Sequence, residues 1–185
     1  MTTIGITGTI GAGKGTVVEY LKTKGYKHYS VRNFLLTEIK RRRIEPVRES
    51  MKDVADDLRK NFSPGYIMEE LLAEQKRDGV NGVIESIRAL GEIELLRKNA
   101  ENFHLLAVDA TPELRYGRIY ARKSTTDNVT YEEFLTYEKT EMSNTEPWKM
   151  NLLACIAMAD FKLENNGNLD DLHKKIDEVL KAIQS

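Results

Sequence analysis

Residues 8–16, Gly-Thr-Ile-Gly-Ala-Gly-Lys-Gly-Thr, constrain this chain more than any other stretch. Residues 2–7 before them (TTIGIT) are β-branched or small and uncharged, as a buried strand requires. Residues 17–22 after them (VVEYLK) have the character of a helix, closed at Lys24 and Gly25. A strand, a glycine-rich turn and a helix in that order form a phosphate-binding loop. Gly8, Gly11, Gly13 and Gly15, with Thr9, Ile10 and Ala12 among them, let successive N–H groups turn inward onto phosphate oxygens. The helix N-terminus adds partial positive charge, and Lys14 is placed to reach the β- and γ-phosphates. The expected ligand is a nucleoside triphosphate, ATP, bound through residues 8–16. The strict pattern puts Ser or Thr directly after the lysine; here Gly15 intervenes and Thr16 follows. A glycine-rich turn with no ligand is the bland alternative, and the lysine and the spacing argue against it.

Beyond the loop, strands alternate with helices. Residues 26–31 and 82–86 read as short strands, 103–109 (FHLLAVD) as the most apolar one and 161–164 as the last. Helices are expected over 34–43 and 49–60, and from a Ser63 cap with Pro64 in the first turn to Gly79. Further helices are expected through residues 90–96, from Thr111-Pro112 to Lys123, and from the capping box Thr130-x-x-Glu133. The last two cover 148–159 and 169–183. This alternation argues a parallel sheet with helices on both faces, and in such α/β sheets ligands sit at the carboxyl ends of the strands. At 185 residues the chain reads as one domain, 1–185, with a small inserted lid.

Lys and Arg number 28 against 29 Asp and Glu, so no basic field points to nucleic acid. No apolar run approaches the roughly 20 residues of a membrane span. The single cysteine, Cys155, rules out an internal disulfide and suits a reducing compartment; its apolar helix marks it as core. The N-terminus leads straight into strand and loop, leaving no room for a signal peptide. These features read as a cytoplasmic protein, a monomer or small homo-oligomer. The three histidines have no metal-ligand spacing.

Two groups of polar residues fall at the strand ends. Glu85-Ser86-Ile87-Arg88 closes the strand at 82–86. Glu85 is suited to Mg²⁺ through water, and Arg88 to gripping an acceptor phosphate with its planar fork; a surface ion pair is the alternative. Arg115, Arg118 and Arg122 share one helix face at spacings of three and four, opposite Leu114 and Ile119. A solvated basic face is the common reading of such a row. This one leads into the polar residues 124–129, where a lid would carry arginines onto the charge that spreads during phosphoryl transfer.

On these residues the chain resembles the nucleoside monophosphate kinases, the P-loop superfamily that includes adenylate kinases and dephospho-CoA kinases. Gly-Lys-Gly-Thr at 13–16 is how their loop reads. Glu85-Ser-Ile-Arg88 matches their Asp-Gly-x-x-Arg, and Arg118-Ile-Tyr-Ala-Arg122 the Arg-x-x-x-Arg that opens the lid. Residues 159–167 match the adenine-side strand and turn. The resemblance covers nearly the whole chain, and is nearest to adenylate-kinase-like or dephospho-CoA-kinase-like proteins of archaea and bacteria with short lids. It implies a three-layer α/β/α fold with a five-stranded parallel sheet of order 2-3-1-4-5. It also implies an acceptor-binding segment at 30–75 and a lid at 123–137, with Arg118 near the ATP base and phosphates and Arg122 on the phosphates. Two positions depart from adenylate kinases: Leu36 stands where they hold the acceptor phosphate with an arginine, and Tyr137 where relatives place another. Arg32, Asn33, Arg48 and Arg59 are the candidates for the acceptor instead, with Lys139 a substitute beside Tyr137. The run Arg41–Arg43 reads as a solvated helix end.

The acceptor follows from chemistry. A hydroxyl must lose its proton during transfer, so hydroxyl kinases supply a carboxylate beside it. Dephospho-CoA kinases place an Asp just after the second strand, where this chain reads Tyr-Ser-Val-Arg-Asn at 29–33; only Glu38 or Asp53 would have to fold in. A phosphate acceptor is already anionic and needs no base. The reading is an ATP- and Mg²⁺-dependent phosphotransferase with a nucleoside monophosphate or similar small phosphate-bearing acceptor. Lys14, Arg88, Arg118 and Arg122 are its catalytic residues, and Thr16 and Glu85 serve the metal. A dephospho-CoA kinase is the rival enzyme. An ATP-binding regulatory module without an acceptor is a rival of another class, kept open by Leu36 and Tyr137.

Overall fold

β1 (Thr2–Gly8) runs through the middle of the sheet, and both of its faces are buried. Ile4 and Ile6 are fully enclosed, and so are Thr3 and Thr7. Those two hydroxyls are satisfied, by Gln75 Oε1 at 3.0 Å and by the Ile87 carbonyl at 2.8 Å, as buried polar groups must be. The computed structural model describes residues 1–122, 130–146 and 148–184. Residues 123–129, the first half of the expected lid, lie outside them.

After β1 come α1 (Lys14–Thr23), β2 (Lys27–Ser30), α2 (Val31–Arg42), α3 (Arg48–Asn61) and α4 (Tyr66–Asp78). β3 (Gly82–Glu85), α5 (Leu90–Asn99), β4 (Asn102–Asp109), α6 (Pro112–Arg122) and α7 (Tyr131–Met142) follow. α8 (Leu152–Ala157), β5 (Phe161–Glu164) and α9 (Leu169–Gln184) complete the order. The five strands are all parallel, in the order β2-β3-β1-β4-β5. This is the expected sheet. One layer packs Val17, Val18 and Leu21 of α1 against Leu172 and Ile176 of α9. The other joins Leu35, Leu58, Ile67, Leu71, Ile93 and Cys155 over the opposite face, so Cys155 is core, and burial pushes its thiol up to about 12.

In α2, α4 and α8 the helix ends differ from the sequence expectation for local reasons. α2 starts three residues before Phe34 because the Ser30 hydroxyl caps it, accepting from the Asn33 N–H at 3.2 Å. α4 starts at Tyr66 rather than Pro64. Ser63 gives its carbonyl to the Tyr66 N–H, at 3.0 Å, and its hydroxyl is buried without a hydrogen-bond partner among the described residues. The chain passes Gly65 so tightly that a Cβ there would lie 2.7 Å from Leu95 Cβ. The helix expected over 148–159 shrinks to Leu152–Ala157. Asn151 caps it through the Ala154 N–H at 3.1 Å while donating its own N–H to the Arg88 carbonyl at 2.8 Å, which draws the preceding chain toward Arg88.

Candidate functional site

The loop between β1 and α1 is held from below by its neighbours. Gly11 (φ 78°) and Gly13 (φ 101°) both take the left-handed backbone that glycine tolerates. A Cβ on Gly11 would lie 2.5 Å from the Arg115 carbonyl oxygen, and one on Gly13 2.4 Å from Asn165 Nδ2. Between them Ala12 is fully buried, and its carbonyl accepts from Asn165 Nδ2 at 2.8 Å and from Arg118 Nη1 at 3.4 Å. Thr9 Oγ1 donates to Asp109 Oδ1 at 2.5 Å, and Asp109 also takes the Ala110 N–H at 2.8 Å. The loop is therefore tied to the ends of β4 and β5 before any ligand enters. Lys14 Nζ folds over it, donating to the Gly8 and Thr9 carbonyls at 2.7 and 2.8 Å. Burial, then the Arg88 charge, drives the Lys14 ammonium down to about 7; Arg115 adds to the effect, and Glu85 and Glu141 oppose it.

Across from the loop, β3 delivers Glu85 and, after Ser86 in a left-handed turn (φ 67°), Arg88. Burial works to raise the Glu85 carboxyl, but His28, the Ser86 hydroxyl bond and the Lys14 charge outweigh it and hold it below the usual carboxylate range. Ser30 Oγ at the end of β2 lies 3.4 Å from Glu85 Oε1. Arg88 reaches Glu141 Oε2 at 3.5 Å and Met150 Sδ at 3.8 Å. Its backbone N–H donates to Glu92 Oε2 at 2.8 Å.

The row on α6 divides. Arg115 turns inward with Ile119, while Leu114, expected with Ile119 on the side opposite the arginines, is exposed. Arg115 donates to the Ala110 carbonyl at 2.8 Å, forms a forked pair with Glu138 of α7, and lies 5.3 Å from the Phe134 ring centroid. Arg118 bridges the loop and the turn after β5, donating to the Asn165 carbonyl at 2.8 Å. Arg122 is the exposed last residue of α6, beside the residues outside the description.

The acceptor candidates separate in the same way. Arg32 and Asn33 are exposed in the first turn of α2, next to the Ser30 cap that faces Glu85. Arg48 opens α3. Arg59, expected on an acceptor phosphate, is instead buried at 2 % exposure and pairs with fully buried Glu92 at 2.8 and 2.9 Å. An arginine sealed against a buried carboxylate has no fork to offer a ligand. Glu38 is likewise committed away from the site: hydrogen bonds from Arg41, then Arg42, outweigh its burial and hold its carboxyl down at about 2. Sequence reasoning missed Glu141 and Glu138, whose spacing of three on α7 was the available signal, and Glu92, for which only the fold supplies one.

A parallel sheet of this order, a glycine loop with an inward lysine and an arginine at the neighbouring strand end define a P-loop protein with the fold of P-loop kinases. More narrowly, the chain belongs to the AAA domain family, whose profile matches residues 4–148. It is similar to the UPF0200 protein of Staphylothermus marinus, 26% identical over 96% of this chain and 90% of that one. It is 28% identical to the UPF0200 protein of Methanocaldococcus jannaschii over 99% and 91%. Among solved structures it resembles TT1252 from Thermus thermophilus, with a TM-score of 0.67 at 23% identity over 98% of this chain and 97% of that one. The shikimate kinase of Bacteroides thetaiotaomicron follows at 0.61 and 11% over 100% and 99%, and the dephospho-CoA kinase of Campylobacter jejuni at 0.51 and 16% over 98% and 96%. No helix among the described residues is long and apolar enough to cross a membrane.

Proposed function

We propose that this chain is a phosphotransferase that passes the γ-phosphoryl group of Mg·ATP to a small phosphate-bearing acceptor, a nucleoside monophosphate or a close analogue. The observation that carries the reading is the preformed anion loop, with left-handed Gly11 and Gly13 and with Lys14 Nζ folded across it onto the Gly8 and Thr9 carbonyls at 2.7 and 2.8 Å. At such a site a polyphosphate would meet the loop N–H groups and the lysine together. Loop N–H groups and Lys14 bind the phosphates, Arg118 fixes the loop against the turn after β5, and Arg88 orients the acceptor. Arg122, the last residue of α6, serves the phosphates during transfer. The acceptor oxygen bonds to the γ-phosphorus as the bond from that phosphorus to the bridging oxygen breaks, and ADP leaves. An ionised phosphate oxygen has no proton to give up, so the step needs positioning more than a base. The Thr16 hydroxyl and the ionised Glu85 carboxylate are the donor set that P-loop sites use for a Mg²⁺ that keeps most of its waters. When bound, that ion neutralises charge on the phosphate oxygens.

One observation favours a second reading, a hydroxyl acceptor as in the dephospho-CoA kinase and shikimate kinase that share the fold. No acid follows β2, but Glu85 on the adjacent strand stands 3.4 Å from Ser30 at the same edge, where it would take the hydroxyl proton. The test is ADP release from Mg·ATP against ribo- and deoxyribonucleoside monophosphates and dephospho-CoA, with Lys14→Ala as control. Stimulation by one monophosphate, lost in the control, is expected. Stimulation by dephospho-CoA alone would replace the first reading by the second, and a flat panel with ATP still bound would leave a nucleotide-binding regulatory module.

A further inference from the structure

A cleft of about 200 Å³ opens beside Arg88, between α3 and the segment that leads from α7 to α8. Its near wall is one face of α3, where Lys52 and Asp56 stand a helical turn apart. Its far wall is the end of α7 and the residues after it, with Ser143, Asn144 and Lys149, and its inner end is Met150. Met150 is also the residue whose sulfur touches Arg88 Nη1, at 3.8 Å, and Glu141, one residue past the cleft-lining Thr140, pairs with the same guanidinium. The cleft therefore begins where the expected grip on the acceptor phosphate ends.

Its chemistry is that of an anion site. The Asp56 carboxylate pairs with Arg59 Nη1 at 3.3 Å, and burial pushes its carboxyl above the usual range against the charges of Arg59, Lys52 and Lys149. Among the described residues Lys149 forms an ion pair only with Glu146, at 3.2 Å, and Lys52 forms none. Asn144 Nδ2 donates to the Thr140 and Met150 carbonyls at 3.1 and 2.6 Å, which fixes the far wall in place. Among the described residues Met150 is the only apolar side chain in the lining, and none of the lining residues carries a ring that could stack a base. At this size the cleft falls below the ~300–1,000 Å³ of a pocket that encloses a whole ligand, so it suits one end of a molecule.

We propose that this cleft is a subsite for a second anionic group of the acceptor, held by Lys52 and Lys149, while Arg88 holds the group that receives the phosphoryl. The proposal rests on the phosphotransferase reading and, within it, favours the close analogues of a nucleoside monophosphate that carry a second anionic group. The full chain is titrated calorimetrically with glycerol 3-phosphate, 3-phosphoglycerate and 2,3-bisphosphoglycerate, first alone and then with a non-hydrolysable Mg·ATP analogue. The emission of Trp148 is followed in parallel. This is the single tryptophan, and its ring lies 5.8 Å from Lys60 Nζ on α3.

The two probes with a second anion are expected to bind at least about tenfold more tightly than glycerol 3-phosphate and to shift the emission. The preference should fall to within about twofold in K52Q/K149Q and persist in K52R/K149R. Equal affinities across the series, no binding at millimolar concentration, or a preference that survives K52Q/K149Q would each overturn the subsite. Binding of the analogue is read separately. Its absence defeats the phosphotransferase reading, and the probe series, run without it, still decides the cleft.

Discussion

Lys14 shows how much a single residue's surroundings decide. Its ordinary value of 10.5 drops to about 7 through burial and the neighbouring Arg88, and a triphosphate placed against it would favour the charged form again. The sign of the pH dependence follows. Below the free-site value the lysine is already charged and affinity is flat. Above it the lysine must gain a proton to bind, so affinity weakens by up to about tenfold per pH unit until the bound-state value is reached. Calorimetry of Mg·ATP binding at pH 8 in buffers of different ionisation enthalpy should therefore report uptake of about one proton, and the residual affinity of Lys14→Met should be flat from pH 7 to 9, an interval of about two units. Binding without uptake would show that Lys14 is already charged in the free site. Arg59 is the opposite case. In the sequence it is one more cation on an amphipathic helix, and only the packing of that helix turns it onto Glu92.

Between elements, that pair ties α3 to the start of α5. Glu92 is fully buried and accepts from the Arg88 and Ala89 N–H groups at 2.8 and 3.1 Å as well as from Arg59. Removing Arg59 strands the carboxylate without its cation, and breaking a buried pair from one side costs about 3–5 kcal/mol. We expect Arg59→Met to lower the free energy of urea unfolding by about that amount, and Glu92→Gln in the Arg59→Met background to recover part of it. A loss below about 1 kcal/mol would mean that the pair is not the tie between these helices. α7 was legible as a helix from its capping box, and Thr130 and Glu133 do cap it reciprocally. That it presents Glu138 to Arg115 and Glu141 to Arg88 was not legible, because helical spacing names a face without saying what lies opposite.

At the scale of the whole molecule, the sheet brings the loop, Glu85 and Arg88 to one edge, and a ligand there should stabilise the entire fold by mass action. Mg·ATP at a hundredfold its Kd should add about 2.7 kcal/mol, a rise in Tm of about 5–10 °C for a chain of this length. Lys14→Ala should abolish the rise. An unchanged Tm in the parent protein at that concentration would show that the loop does not take ATP. The parallel sheet and the loop itself could be read from residues alone, through local periodicity, right-handed crossovers and a motif whose glycines and lysine carry their own geometry. The strand order came only with the resemblance to nucleoside monophosphate kinases. The division of the arginines could not be read in this way. Arg88 and Arg118 face the loop, Arg59 and Arg115 are spent on buried carboxylate and carbonyl partners, and Glu85 faces Ser30 across two strands distant in sequence. A charged side chain takes its role from the partner that satisfies it, and here tertiary packing alone chose the partners, because most of them are supplied by other helices and strands.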